Sequence, residues 1–167
     1  MLFISHRGNT VGPKPQLENT EGYIQKALSK QYFVEVDVWK IKDDWLLGHD
    51  EPQHATSKEF ISQPRLLLHA KNLEAFKSMI DLGLHCFWHQ EDFYTLTTRG
   101  IIISYPGYAS GKDTICMQPE LLSMDTIANA YAICSDYIDV FRGVKEEGTV
   151  LKSSINSFNE TRFNETR

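Results

Sequence analysis

Seven short apolar runs punctuate the chain, at residues 2–5, 33–38, 66–68, 84–88, 101–103, 114–117 and 131–134. Each is three to six residues long and rich in Ile, Val, Leu or aromatic side chains. Runs of that length and composition suit strands covered on both faces, as in a parallel sheet. Helical patterns lie between some of them. Residues 21–30 place Tyr23, Ile24, Ala27 and Leu28 on one face, with Asn19 or Thr20 as the N-cap. Residues 73–82 place Leu73, Phe76, Ile80 and Leu84 on one stripe, and Gly83 is the stop signal. Strands alternating with helices predict an α/β fold with right-handed crossovers. Seven strands favour a compact (β/α) TIM-type barrel over an open sheet. With 167 residues, against about 200–250 for a usual barrel, some crossover helices must be shortened or missing.

The predicted domain spans 1–148. From 149 to 167 the chain is polar, and Phe158-Asn159-Glu160-Thr161-Arg162 recurs at once as Phe163-Asn164-Glu165-Thr166-Arg167, which suggests a frayed or disordered tail. The Asn-x-Thr triplets there matter only in a secreted protein. A net charge of -5 argues against a general nucleic-acid binder, though not against a small anionic ligand held with a cation. No apolar run is long enough for a membrane span, and the first residues lack the pattern of a secretory leader. Cys86, Cys116 and Cys134 are far apart and lie in apolar segments, as buried reduced thiols do, which points to a cytoplasmic setting. Oligomeric state is not legible.

Four pieces could carry chemistry: Ser5-His6-Arg7-Gly8 after the first strand, Leu17-Glu18-Asn19-Thr20 before the first helix, Glu35-Val36-Asp37 on the second strand, and Gly48-His49-Asp50 after a hairpin turn at Asp43-Asp44. A lone His after a strand is more often structural than catalytic, and Glu-x-Asp often marks the solvent side of a strand. In Phe33-Val34-Glu35-Val36-Asp37-Val38, however, both carboxylates share one face and the valines take the other. In a strand covered on both sides, the two acids must point into a polar cavity. Two like charges there need a partner, and a hard divalent cation supplies one. His6 and His49 then suit an acid/base pair, since imidazoles titrate near pH ~6.5. Arg7 can hold phosphate oxygens in bidentate fashion. Glu18 can orient Arg7 or join the metal site, and Gly8 lets the backbone approach a ligand.

In that order and spacing, His6-Arg7-Gly8, Glu18-Asn19-Thr20, Glu35-Val36-Asp37 and His49-Asp50 resemble the signature of glycerophosphodiester phosphodiesterases. The resemblance covers the first 71 residues. It implies a TIM barrel of the phospholipase C-like kind and hydrolysis of a glycerophosphodiester to glycerol phosphate and an alcohol. It also implies a divalent metal, Mg²⁺ or Ca²⁺, with His6 and His49 as acid and base, Glu35 and Asp37 as metal ligands, and Arg7 on the phosphate. Lys71 matches a phosphate-binding lysine two residues beyond a third acidic ligand, but His69 stands where that acid is expected. A nitrogen ligand suits Mn²⁺ or Zn²⁺ better. A weakened site could be filled out by Glu51 or by His89 and Glu91 beyond the fourth strand, where Asp92 could equally cap a helix. Tyr105-Pro106-Gly107 suits a turn that could line the pocket; Ser135-Asp136-Tyr137 could reach the same face but suits a helix cap better; His54 and His85 carry no partner pattern.

Three functions compete. One is hydrolysis of a small glycerophosphodiester-like substrate. A second is internal phosphoryl transfer giving a cyclic phosphate, as in phospholipase-type relatives of such a barrel. A third is a module that binds a phosphorylated ligand without cleaving it.

Overall fold

The computed structural model describes residues 1–108, 110–121, 127 and 129–146; the tail expected at 149–167 lies outside them. All seven expected strands form. They are β1 (Leu2–His6), β2 (Phe33–Ile41), β5 (Leu66–Ala70), β6 (Cys86–Trp88), β8 (Ile102–Ser104), β9 (Thr114–Met117) and β10 (Ala132–Ser135). They pair in parallel in the order β6-β5-β2-β1-β10-β9-β8. Three short strands are added by hairpins. β3 (Asp44–Leu47) folds back on the extended end of β2 through a turn at Lys42 and Asp43, and β4 (His54–Thr56) pairs β3. β7 (Tyr94–Leu96) lies antiparallel to β8.

The TIM-type barrel of alternating β/α units does not form. The sheet curls into a half-barrel: β6 pairs only with β5, and the far edge is taken by β7. Chain length explains this. A parallel crossover through a helix needs a dozen or more residues. Only residues 105–113 join β8 to β9, and only 89–93 separate β6 from β7, which therefore turns back as a hairpin. Helices with described bounds are few: α1 (Glu21–Ser29), the single turn α2 (Lys58–Ile61), α3 (Leu73–Asp81) and α4 (Ile138–Glu146). No helix among the described residues is long and apolar enough to cross a membrane.

Strand periodicity divides the core. Val34, Val36, Val38, Leu66, Leu68 and Ala70 face outward and pack under α1 and α3 with Ile24, Ala27, Leu28, Ala75 and Met79. Ile133 and Cys116 face the same way under α4, against Ile138 and Phe141. The opposite parity lines the inside of the curl with Ile4, Leu67, Phe87, Ile103, Ile115, Met117, Ala132 and Cys134. All three cysteines are buried and free.

One local expectation fails, and another is met in position only. α3 does not bury the stripe Leu73, Phe76, Ile80: Leu73 and Ile80 are exposed, and Ala75 and Met79 face the sheet. The small Ala75 side chain lets the helix sit close, with Phe76 edge-on to Trp88. Thr20 is the N-cap of α1 by backbone position but makes no side-chain cap bond, and Asn19 reaches elsewhere.

His85, just before β6, is held at a pKa of about 4 by burial and by Arg99. An unfolded chain takes up that proton nearer pH 6.5, so it binds more protons between those values. This contribution to stability is therefore lost as pH falls from 6.5 towards 4. His85→Gln should flatten the acid limb of melting temperature against pH. Superimposable limbs for variant and parent would contradict this.

Candidate active site

Six of the seven inward-facing columns of the parallel strands are apolar at their start and polar at the carboxyl end, the exception being Ile115 and Met117 on β9. Leu2 and Ile4 lead to His6, Phe33 to Glu35 and Asp37, Leu67 to His69, Phe87 to His89, Ile103 to Tyr105, and Cys134 to Asp136. The alternation that builds the inner core therefore carries six columns of functional groups to one end of the half-barrel. The register sets His6 beside Glu35 and Asp37 beside His69. A cavity of about 500 Å³ opens there, within the range of small-ligand sites. His6, Arg7, Glu35, His49, His69, Lys71, His89 and Tyr105 line it, with Trp39, Trp88 and Gln118. Asp37 lies directly beneath, fully buried.

Asp37 is crowded with partners. Arg7 Nε lies 3.0 Å from Oδ2, Asn19 Nδ2 donates to Oδ2 at 2.9 Å, and Lys71 Nζ lies 3.6 Å from Oδ1. Burial alone would raise its pKa, but His69, Arg7 and Lys71 outweigh that and hold it below the usual carboxylate range. Glu35 is the opposite case. Burial and the neighbouring Asp37 charge push it up, and its Oε2 has no hydrogen-bond partner. The nearest imidazole nitrogens, of His69 and His6, stand off at 3.7 and 3.8 Å.

His69 joins the two acids in one cluster. Its Nε2 donates to the carbonyl oxygen of His89 at 3.2 Å, so the other nitrogen, Nδ1, faces Asp37 Oδ1 at 3.0 Å. That carboxylate oxygen has no aligned hydrogen bond. Two lone pairs at this distance repel, so a proton or a cation belongs between them. One ligand atom each from Glu35, Asp37 and His69 lie within 4.8 Å of one another. A ring that donates its second N–H to a carbonyl is oriented as metal-ligating histidines are. The three residues fit a divalent cation, and the imidazole favours Mn²⁺ or Zn²⁺ over an all-oxygen ion.

Both candidate acid/base histidines are anchored by an aspartate through Nδ1. His6 bonds Asp136 at 2.8 Å and His49 bonds Asp50 at 2.7 Å. In each case Nε2 is left for chemistry. Burial would lower His6, but Asp136 and Glu35 overcome it and hold the ring above its usual pKa; burial holds His49 below its own. Asp136 is fixed in turn by Asn9 at 2.8 Å, and Asn9 also donates to Glu18 at 2.8 Å.

Most of the expected residues meet here. His6, Arg7, Glu35, His49, His69, Lys71 and His89 reach the cavity, with Asp37 below them. Glu18 does not line it. It sits behind Arg7, 3.4 Å from the guanidinium, and orients it. Glu91 and Glu51 are exposed and outside the lining, and Asp92 caps no helix, since β7 follows. Gly8 serves packing, because with φ +93° a Cβ there would meet Tyr23 Cδ1 at 2.7 Å. Asp136, read from the sequence as a cap, holds His6, and Asn19 ties its loop to Asp37 through both its amide nitrogen and its oxygen. Among the described residues six non-glycine positions take positive φ, and Arg7, Asn19 and Gln118 of these lie at or beside the cavity.

His49 depends on Gly48. At φ +150° a Cβ there would overlap the carbonyl oxygen of Glu51, and the Gly48 carbonyl accepts from Trp39 Nε1 at 2.7 Å. Gly48→Ala should cost more than about 1 kcal/mol, lowering the melting temperature by about 3 °C or more. An unchanged thermal transition would show that the turn accommodates the methyl group.

Compared with protein families, curated proteins and solved structures, this chain matches none of them.

Proposed function

We propose that this protein is a metal-dependent phosphodiester hydrolase acting on a small glycerophosphodiester-like substrate. The observation that carries the reading is the pairing of one cation-shaped cluster, Glu35, Asp37 and His69, with two aspartate-anchored imidazoles and two cationic side chains at one cavity. Other support comes from the order of the four motifs, which resembles glycerophosphodiester phosphodiesterases in chemistry although the closed barrel is absent. The three buried thiols accord with a reducing, cytoplasmic setting.

A divalent ion held by Glu35, Asp37 and His69 would polarise the phosphoryl group and offset charge developing on it. Arg7 and Lys71 hold phosphoryl oxygens and supply positive charge in a partly buried site. His49, kept neutral by burial, takes a proton from water through Nε2 as the water oxygen bonds to phosphorus. The phosphorus–alkoxide bond breaks on the opposite side. His6, steadied by Asp136, gives its Nε2 proton to the leaving oxygen. The products are a phosphomonoester and an alcohol.

Phosphorus NMR of a glycerophosphodiester incubated with protein and metal tests this. A phosphomonoester as first product is expected. A cyclic phosphate would replace water as nucleophile by the neighbouring hydroxyl, and phosphate-dependent binding without turnover would favour the non-catalytic module.

A further inference from the structure

The unpaired polar atoms buried among the described residues fall into two groups. His85 Nε2 and Ser110 Oγ lie outside the cavity lining. Arg7 Nε, Glu35 Oε2, Asp37 Oδ1 and the Tyr105 hydroxyl belong to the cavity or its floor. The first three have charged neighbours that account for them. The Tyr105 hydroxyl makes no hydrogen bond, and Glu35 and Asp37 act on it only as nearby charges. It is a neutral, buried donor with no acceptor in reach, on a side chain that lines the cavity.

Its placement is firmly built. Tyr105 follows Ile103 on the inward parity, immediately past β8, facing the column that carries Glu35 and Asp37. Its ring stacks on His89 with centroids 3.5 Å apart and planes 15° from parallel. Its backbone N–H donates to the Phe93 carbonyl at 3.1 Å, and its carbonyl accepts from Tyr108 at 3.2 Å. His89 in turn takes the His69 hydrogen bond on its carbonyl, so one residue fixes both the metal-site imidazole and the tyrosine ring. A fold that spends this much packing on orienting a hydroxyl and leaves it unpaired has shaped it for a ligand oxygen. Burial and the two nearby carboxylates keep the phenol protonated, so it can only help as a donor to an anion.

We infer that Tyr105 is a substrate-contacting residue whose hydroxyl donates a hydrogen bond to a non-bridging phosphoryl oxygen of the bound diester. It stands on a different strand from Arg7 and Lys71 and grips the phosphate from another side, as a neutral donor that leaves the cation site's charge unchanged. The inference rests on the proposed phosphodiesterase site for the identity of the ligand.

The test is Tyr105→Phe in the full chain, with two readouts besides activity. The first is thermal stability, the second the affinity for inorganic phosphate in the presence of Mn²⁺, by calorimetry. We expect kcat/KM for bis(p-nitrophenyl) phosphate to fall about 10- to 100-fold. Phosphate should bind about tenfold more weakly, with the melting temperature unchanged or raised, because phenylalanine keeps the stack on His89 and removes an unpaired hydroxyl. A merely structural tyrosine would lower the melting temperature instead. Parental kcat/KM and phosphate affinity in the variant would overturn the role of Tyr105 while leaving the hydrolase reading intact. A parent protein that turns over no diester but binds phosphate through Tyr105 would sustain the contact and sink the hydrolase. Phosphate binding indifferent to the substitution, in an inactive parent, would refute both.

Discussion

His49→Ala leaves a folded protein in which kcat/KM for a phosphodiester falls about a thousandfold, a loss of about 4 kcal/mol of transition-state stabilisation. The side chain is 41% exposed and bonds only to Asp50, itself almost fully exposed, so truncation opens no core cavity and breaks no buried network. The melting temperature should stay within about 1–2 °C of the parent, since surface changes of this kind move stability little. Because the ring lies at the cavity mouth, added imidazole should restore part of the activity. In the parent, burial holds His49 below its ordinary value, so the acid limb of kcat/KM should fall below pH 6.5. Unimpaired turnover in the variant would remove His49 from the chemistry.

Glu35→Gln should move stability and function in opposite directions. Glu35 is 1% exposed, beside Asp37, with an unpaired Oε2; burial and like charge disfavour its ionised form in the folded state. The isosteric amide removes that charge without changing volume. Without metal, the variant should melt about 2–4 °C higher, which is about 1 kcal/mol for a chain of this size. Metal affinity should drop by about two orders of magnitude, since the number of charged ligands tunes cation affinity over several decades. Turnover should fall with it. Stability given up at a functional position is common. A variant that is less stable without metal and still binds the ion would show that Glu35 is a structural acid.

Much of the site was legible because strand parity is strict. Glu35 and Asp37 at i and i+2 had to share a face, and Val34, Val36 and Val38 on the opposite face fixed it as the inner one. His6 ends β1 and Lys71 follows β5 on the inward parity, so their direction followed from the same alternation, whereas Arg7 has the opposite parity and reaches the cavity through its positive φ. Asp136 was legible by that rule too, two residues beyond Cys134, but an acid just before a helix also fits a cap, and local pattern cannot choose between them. Asn19 carries the same ambiguity: its amide spans to Asp37, a contact across 18 residues that no window around α1 contains. Tyr105 was legible as a pocket-lining residue, but the turn-like Pro106-Gly107 after it gave no sign of a role for its hydroxyl.

The failure of barrel closure has a different origin. β7 is three residues with no marked apolar run, and β6 is equally short. Whether such segments hydrogen-bond to each other or fold into a hairpin depends on partners elsewhere in the sheet. The connection of 105–113 was the available clue, since it is too short for a crossover helix. In α3, Leu73 and Ile80 fit a helical stripe as well as Ala75 and Met79 do, and the closer approach permitted by Ala75 decided the face.

The central claim is that Glu35, Asp37 and His69 hold a divalent ion that enables His49 and His6 to cleave a phosphodiester. The most direct measurement is turnover of bis(p-nitrophenyl) phosphate by metal-stripped protein, with Mg²⁺, Ca²⁺, Mn²⁺ or Zn²⁺ added back singly. The account predicts no turnover in the stripped protein, recovery with Mn²⁺ or Zn²⁺ ahead of Mg²⁺ and Ca²⁺, and loss of that recovery in Glu35→Gln. Folded protein that stays silent with every ion, or that turns over equally well when stripped, would contradict it.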